Sequence, residues 1–217
     1  MKARNIFFAL MLAVTAFMAS ADEYWDRKVS LYDSLQVSHD DIVFLGNSIT
    51  DGGEFSELFG MENVLNRGII SDIIPGVMKR LDQVTKGHPK KIFLLIGIND
   101  VSHGHPVSKL AARYAELVDS IRSKSPETKL YLQSLMPINN DFRRYKNLIG
   151  KEKTVKGFNN EIKKIAQTRG LTYIDLWPAM AAHDGKLRRE FTNDGLHLKG
   201  AGYRAWTDAI RKYVEEP

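Results

Sequence analysis

Three short apolar runs, Ile42-Val43-Phe44-Leu45, Lys91 to Gly97 and Leu130 to Leu135, set the limits on what this chain can fold into. Each is too short for a core helix and has no polar side, so each reads as a strand buried on both faces, which is the situation in a parallel sheet. Between them the period changes to that of a helix. Val107 to Lys124 repeats apolar residues at Leu110, Tyr114, Leu117 and Ile121 after a helix-starting Pro106. The remaining segments keep the rhythm: a lead-in helix over Tyr24 to Gln36, a second strand over Val64 to Ile69 and a helix over Ile73 to Thr85 with Leu81 and Val84 facing the sheet. A helix over Lys153 to Arg169 closed by Gly170, a fifth strand over Leu171 to Leu176 and a terminal helix over Gly200 to Val214 complete it. Strands alternating with helices predict an α/β fold, a three-layer α/β/α sandwich around a parallel sheet of about five strands. At 217 residues, without internal repeat, linker or low-complexity tract, the chain amounts to one domain.

Two motifs at opposite ends of the chain carry chemistry. Gly46-Asn47-Ser48-Ile49-Thr50-Asp51 follows the first strand, so Ser48 falls just past its carboxyl end, where open α/β sheets place their ligands. Asp194-Gly195-Leu196-His197 sets a carboxylate and an imidazole three residues apart, within reach of one turn of backbone. A serine hydroxyl needs an imidazole to take its proton, and the imidazole needs a carboxylate to fix its tautomer and stabilise its charged form. Each piece alone has a plainer use: Ser48 as a helix N-cap, Asp194-Gly195 as a turn, Asn99-Asp100 as the end of a strand, His197 as a structural histidine. Their joint occurrence at strand ends that one sheet brings to one edge favours the catalytic reading.

Four blocks carry a resemblance to a known family: Gly46-Asn47-Ser48-Ile49-Thr50, Asn66-Arg67-Gly68-Ile69-Ile70-Ser71-Asp72, Gly97-Ile98-Asn99-Asp100 and Asp194-Gly195-Leu196-His197-Leu198. In this order and with these separations the chain resembles the GDSL-type esterases of the SGNH hydrolase superfamily. It is most similar to the branch of platelet-activating-factor acetylhydrolase and the carbohydrate O-acetylesterases, where asparagine also stands at the position of Asn47. The resemblance implies a flavodoxin-like fold, with Ser48 as nucleophile, His197 as base, Asp194 as its orienting carboxylate, and Ser48 N–H and the Asn99 side chain as oxyanion donors. One position departs from the pattern: Ser71 stands where the family has glycine as a main-chain donor. Serine supplies the same N–H provided its φ is negative and its Cβ leaves room for the substrate. Gly68 is the alternative donor, and Arg67 and Asp72, flanking the block, are placed to pair.

The loop from Ile138 to Asn147 is the longest irregular stretch at the expected active edge, and it offers amides, arginines and the aromatics Phe142 and Tyr145 instead of a contiguous apolar lid. This tilts the expected substrate toward short, chiefly acetyl, esters of polar alcohols such as carbohydrates. The same triad would also serve a lysophospholipase or thioesterase, or an O-acetyltransferase; a non-catalytic glycan-binding module fits less well because every triad member is present.

The amino end predicts a signal peptide over residues 1–21: Lys2 and Arg4, an apolar run from Ile6 to Met18, and Ala19-Ser20-Ala21 as a small-x-small cleavage site, leaving a hydrolase domain over 22–217. The run is shorter than the ~20 residues that span a bilayer, so no stable membrane anchor is expected, and the protein is expected to be exported to a bacterial periplasm or medium. The chain has no cysteine, which excludes a lipoprotein anchor, disulfides and thiolate chemistry. Cleavage would lower the formal charge from +5 to +3, since 29 basic residues then face 26 acidic ones, too small an excess for a nucleic-acid partner. His88, His103 and His105 lack a carboxylate set that would make a metal site, no glycine-rich phosphate cradle is present, and Trp177 and Trp206 read as core. The expected partner is a small-molecule or glycan ester, with neither metal nor cofactor.

Overall fold

The computed structural model describes residues 22–217; the predicted signal peptide lies outside the described residues. After a helix over 22–34 (α1), the chain runs β1 (Ile42–Gly46), α2 (Ser48–Asp51), α3 (Phe55–Phe59), β2 (Val64–Gly68), α4 (Ile74–Lys79), α5 (Asp82–Thr85) and β3 (Lys91–Leu95). It continues through α6 (Ile98–Ser102), α7 (Val107–Lys124), β4 (Lys129–Gln133), α8 (Glu152–Arg169), β5 (Thr172–Ile174), α9 (Trp177–Met180) and α10 (Gly200–Glu215). The five strands form one parallel sheet in the order β2-β1-β3-β4-β5. The predicted three-layer sandwich is therefore what forms, and its strand order reverses beside β1, where a doubly wound sheet opens its crevice.

Register puts an aromatic row across one face. Phe44 pairs with Phe93, and Phe93 with Tyr131. Their rings stack at 5.0 and 4.5 Å between centroids, and Phe55 lies on Phe44 at 4.0 Å. Fully buried Trp206 of α10 meets Phe55 edge-on and donates its indole N–H to Gln133 Oε1 at 2.7 Å. On this side α10 packs with α3 and α9, while α4, α7 and α8 pack together on the other. Buried Lys91, at the start of the central strand, turns its ammonium to the carbonyls of Tyr213, Val214 and Glu216, capping α10 from beneath.

One predicted helix, one expected ion pair and one expected core tryptophan differ. The helix expected over Ile73 to Thr85 is broken after Lys79, because Arg80 leaves the helical path to place its guanidinium against Asp72 Oδ2 (2.8 Å), Gly46 O (3.1 Å) and Arg67 O (3.0 Å). This one buried side chain ties together the ends of β1 and β2. The expected Arg67–Asp72 pair is accordingly absent: Asp72 belongs to Arg80, and Arg67 lies over the Tyr32 ring at 4.9 Å. Trp177 is only half-buried, with the Lys156 ammonium 5.1 Å above its ring, whereas Trp206 is core as expected.

Candidate active site

The turn after β1 determines what Ser48 is free to do. Asn47 is the N-cap of α2: its φ and ψ are extended, and its Oδ1 accepts the N–H of Ile49 at 3.0 Å. Ser48 is thus the first helical residue, and capping makes no demand on its hydroxyl. Gly68, opposite Gly46 in the β1–β2 register, permits this turn to sit down on the sheet edge, since a Cβ there would lie 2.2 Å from Asp51 N.

The hydroxyl turns to the far end of the chain. Ser48 Oγ is 2.9 Å from His197 Nε2, and His197 Nδ1 is 2.7 Å from Asp194 Oδ2. The segment holding the pair is a tight loop closed by the Thr192–Leu198 bridge. Asp194 Oδ1 accepts the N–H groups of Leu196 (2.9 Å) and His197 (2.8 Å), and Gly195 adopts φ +89°. A side chain at Gly195 would meet Asn139 O at 2.1 Å, so the loop after β4 is seated directly on the motif, with Asn139 N–H donating to Gly195 O at 2.8 Å. Burial opposes ionisation of Asp194, but the donors from His197, Leu196 and Tyr145 outweigh it and hold the carboxyl at about 2. An anionic carboxylate on Nδ1 leaves Nε2 with its lone pair toward Ser48, the tautomer a general base requires.

The structure gathers the remaining predicted residues around Ser48. β1 and β3 are neighbours, so Asn99, at the start of α6, comes to the same edge. Asn99 donates one Nδ2 hydrogen to Asp72 O at 2.9 Å, which fixes the amide and leaves its second hydrogen for a ligand. The backbone N–H groups of Ser48 and Ser71 have no acceptor among the described residues. Ser71 occurs at φ +64°, so the expectation of a negative φ fails; serine nonetheless takes the left-handed conformation that suits glycine, at a cost in strain, and its unbonded N–H remains free to donate. Gly68 is not an alternative, because its N–H is held by Asn66 Oδ1 at 2.7 Å. Ser48, Ser71, Asn99 and His197 line a cleft of about 480 Å³, walled by Ile70, Leu148 and Leu196 and by Arg144 to Asn147.

One residue at the site was legible in the sequence only as part of a polar loop. Tyr145, between two short 3₁₀ turns (Asn140–Phe142 and Lys146–Leu148), donates its hydroxyl to Asp194 Oδ2 at 2.8 Å and lies 2.9 Å from His197 Nδ1. Burial and the carboxylate push the phenol up to about 12, so it stays a donor. Its companion Phe142 sits instead beneath the Arg189 guanidinium, at 5.1 Å. Such a constellation can deprotonate a hydroxyl and shelter an oxyanion beside it.

Residues 44–205 match the model of the GDSL-like lipase/acylhydrolase family. A multidomain esterase of Ruminococcus flavefaciens is 26% identical over 196 residues, 85% of this chain; the chain spans only 22% of that protein's length. Subunit alpha1 of the human platelet-activating factor acetylhydrolase IB is 25% identical over 171 residues, 75% of this chain and 70% of the relative. Among solved structures, a chain from Streptococcus pneumonia, provisionally described as a platelet activating factor, superposes with a TM-score of 0.85 at 26% identity, covering 94% of this chain and 99% of that one. A catalytic mutant of Axe2, an acetylxylan esterase from Geobacillus stearothermophilus, shares the fold with a TM-score of 0.64 at 18% identity, covering 83% and 96%.

Proposed function

Because this chain belongs to the GDSL-like lipase/acylhydrolase family and is a carboxylic ester hydrolase, we propose that Ser48 is its nucleophile, His197 its general base and Asp194 the carboxylate that orients the base. The observation that carries this reading is the unbroken hydrogen-bonded chain from Ser48 Oγ through the imidazole to Asp194. His197 takes the hydroxyl proton as Ser48 Oγ attacks the ester carbonyl. The oxyanion is received by Ser48 N–H, Ser71 N–H and the second hydrogen of Asn99 Nδ2. His197 then returns its proton to the departing alkoxide, and a water molecule activated the same way releases the acid from the acyl-serine. Loss of one oxyanion donor costs on the order of 10²–10³ in turnover, so Asn99 is essential without moving a proton.

The substrate we assign is a short-chain, chiefly acetyl, ester of a polar alcohol such as a carbohydrate, met outside the cytoplasm after export. Support comes from the cleft lining, which includes Arg144, Lys146 and Asn147 and, among the described residues, no carboxylate. The structural likeness to an acetylxylan esterase is in keeping with it.

Ser48→Ala is expected to abolish both ester hydrolysis and labelling by a fluorophosphonate, with the folded state intact; labelling that survives in the folded variant moves the nucleophile elsewhere. His197→Ala should be as damaging, and Asp194→Asn equal or milder, because members of such a unit do not contribute additively. Nitrophenyl esters of rising acyl length, alongside acetate release from O-acetylated glycans, test the substrate. Faster turnover of octanoyl than acetyl esters overturns the short-acyl assignment in favour of a lysophospholipase or thioesterase.

A further inference from the structure

Asp194 Oδ2 is shared by two donors. The Tyr145 hydroxyl and His197 Nδ1 reach it at 2.8 and 2.7 Å, and the two donor atoms are themselves 2.9 Å apart. A carboxylate this close to Nδ1 requires the proton to be on Nδ1, since otherwise two lone pairs would face each other. The phenolic proton is then directed at Oδ2, and the phenol oxygen rests beside Nδ1–H. The phenol is confined from its other side as well. Its ring meets the imidazole edge-on at 5.6 Å, and Tyr145 O accepts Leu148 N–H at 3.0 Å within the turn that forms the cleft wall.

We propose that Tyr145 is a positioning residue for the base: its hydroxyl aligns the Asp194–His197 pair and, by drawing on the charge of Oδ2, keeps the imidazole from holding its proton too tightly. The proposal rests on the reading of Ser48 and His197 given above. Partial neutralisation of the carboxylate weakens its pull on the imidazolium, and removing the hydroxyl restores that pull in full. The other groups facing the imidazole are few. The loop after β4 adds the exposed cations Arg144 and Lys146, α2 contributes the neutral Ser48 hydroxyl, and α6 the neutral Asn99 and Ser102. Tyr203 of α10 is committed to Ile49 O, and Lys199 is turned out to solvent. Among the described residues, Tyr145 is thus the neutral donor that acts on the Asp194 oxygen bonded to the imidazole, and the geometry gives it to a wall of the cleft, so that the base is set only when that wall is in place.

The test is the rate of fluorophosphonate labelling as a function of pH, which needs no knowledge of the natural ester. In Tyr145→Phe, which keeps the ring, the acid limb is expected to move up by roughly half a unit to one unit and the limiting rate to fall about three- to tenfold, the size of one ordinary hydrogen bond lost. Asn147→Ala, a cleft-wall control, should change KM for an ester and leave the limb in place. An unmoved limb in folded Tyr145→Phe overturns the proposal alone, whereas a wild type that does not label overturns the Ser48 reading and the proposal with it. Incorporation of 3-fluorotyrosine at position 145 provides a readout that does not depend on the phenylalanine variant folding: a stronger donor must shift the limb to lower pH, and a limb that stays put refutes the role.

Discussion

Replacing Ser71 by glycine should make the protein both more stable and more permissive toward long acyl chains. Ser71 holds φ +64°, and it is exposed, so the conformation is imposed by the turn in which Asp72 N–H bonds Ile69 O and Asp72 itself is locked to Arg80. The left-handed region costs a residue with a Cβ roughly 1–2 kcal/mol. Glycine adopts it freely but forfeits about 0.5–1 kcal/mol through the greater freedom of the unfolded chain. The difference favours Ser71→Gly by about 0.5–1 kcal/mol, a rise of roughly 1–4 °C in midpoint for a domain of this size.

The kinetic half of the prediction comes from placement. Ser71 lines the cleft beside Ser48 and Asn99, so its Cβ stands next to the main-chain N–H proposed as an oxyanion donor. If that atom bounds the acyl site, each methylene beyond acetyl is penalised by an amount within the ~1–3 kcal/mol that one methylene is worth in a pocket. Ser71→Gly should therefore raise kcat/KM for butanoyl and octanoyl nitrophenyl esters relative to acetyl, while acetyl turnover changes little because the main-chain N–H is retained. Thermal unfolding followed by circular dichroism and the acyl series together decide it. A lowered midpoint contradicts the strain argument, and an unchanged octanoyl-to-acetyl ratio contradicts the placement of the Cβ.

Arg80→Met removes the cation bonded to Asp72 and frees two strand-end carbonyls, and a buried pair broken from one side typically costs about 3–5 kcal/mol; urea unfolding should show this, with the added Asp72→Asn recovering part. Asp194 titrates at about 2 in the folded state against an ordinary 3.8, so its contribution to stability is complete above pH 3.8 and is lost as pH falls through 2. Wild type should therefore lose more midpoint than Asp194→Asn when thermal scans at pH 5 and pH 2.5 are compared, and equal losses would contradict the assigned hydrogen bonds.

The parts of the fold that could be read directly are those where one segment carries its own signal. Helix α7 begins and ends where expected because Leu110, Tyr114, Leu117 and Ile121 form a buried stripe of helical spacing and Pro106 precedes it. Gly170 closes α8 as expected, in the left-handed conformation. The misjudged boundaries depend on distant partners. Leu171 to Leu176 reads as one apolar strand, yet only Thr172–Ile174 pair, because β5 is an edge strand with a single neighbour, β4, which ends at Gln133. The break at Arg80 follows from carbonyls at Gly46 and Arg67 that no local pattern reveals.

The site divides along the same line. Ser48, Asn99, Asp194 and His197 were legible because each lies in a short motif with a chemical reason for its residue types, and the β1–β3 pairing brings the first two together. The conformation of Ser71 was not, since serine seldom signals positive φ; the glycine usual at that position in the family was the one available sign. Tyr145 is harder still. It stands 49 residues before Asp194, in an irregular loop that is held by distant contacts, Asn139 seated on Gly195 and bonded to Leu187 O and Asn140 bonded to Glu152. An irregular loop takes its conformation from what it packs on, so a functional side chain within it follows from the folded motif beneath. The loop expected at the active edge does line the cleft, but one of its two aromatics is turned inward, committed to the Asp194–His197 pair.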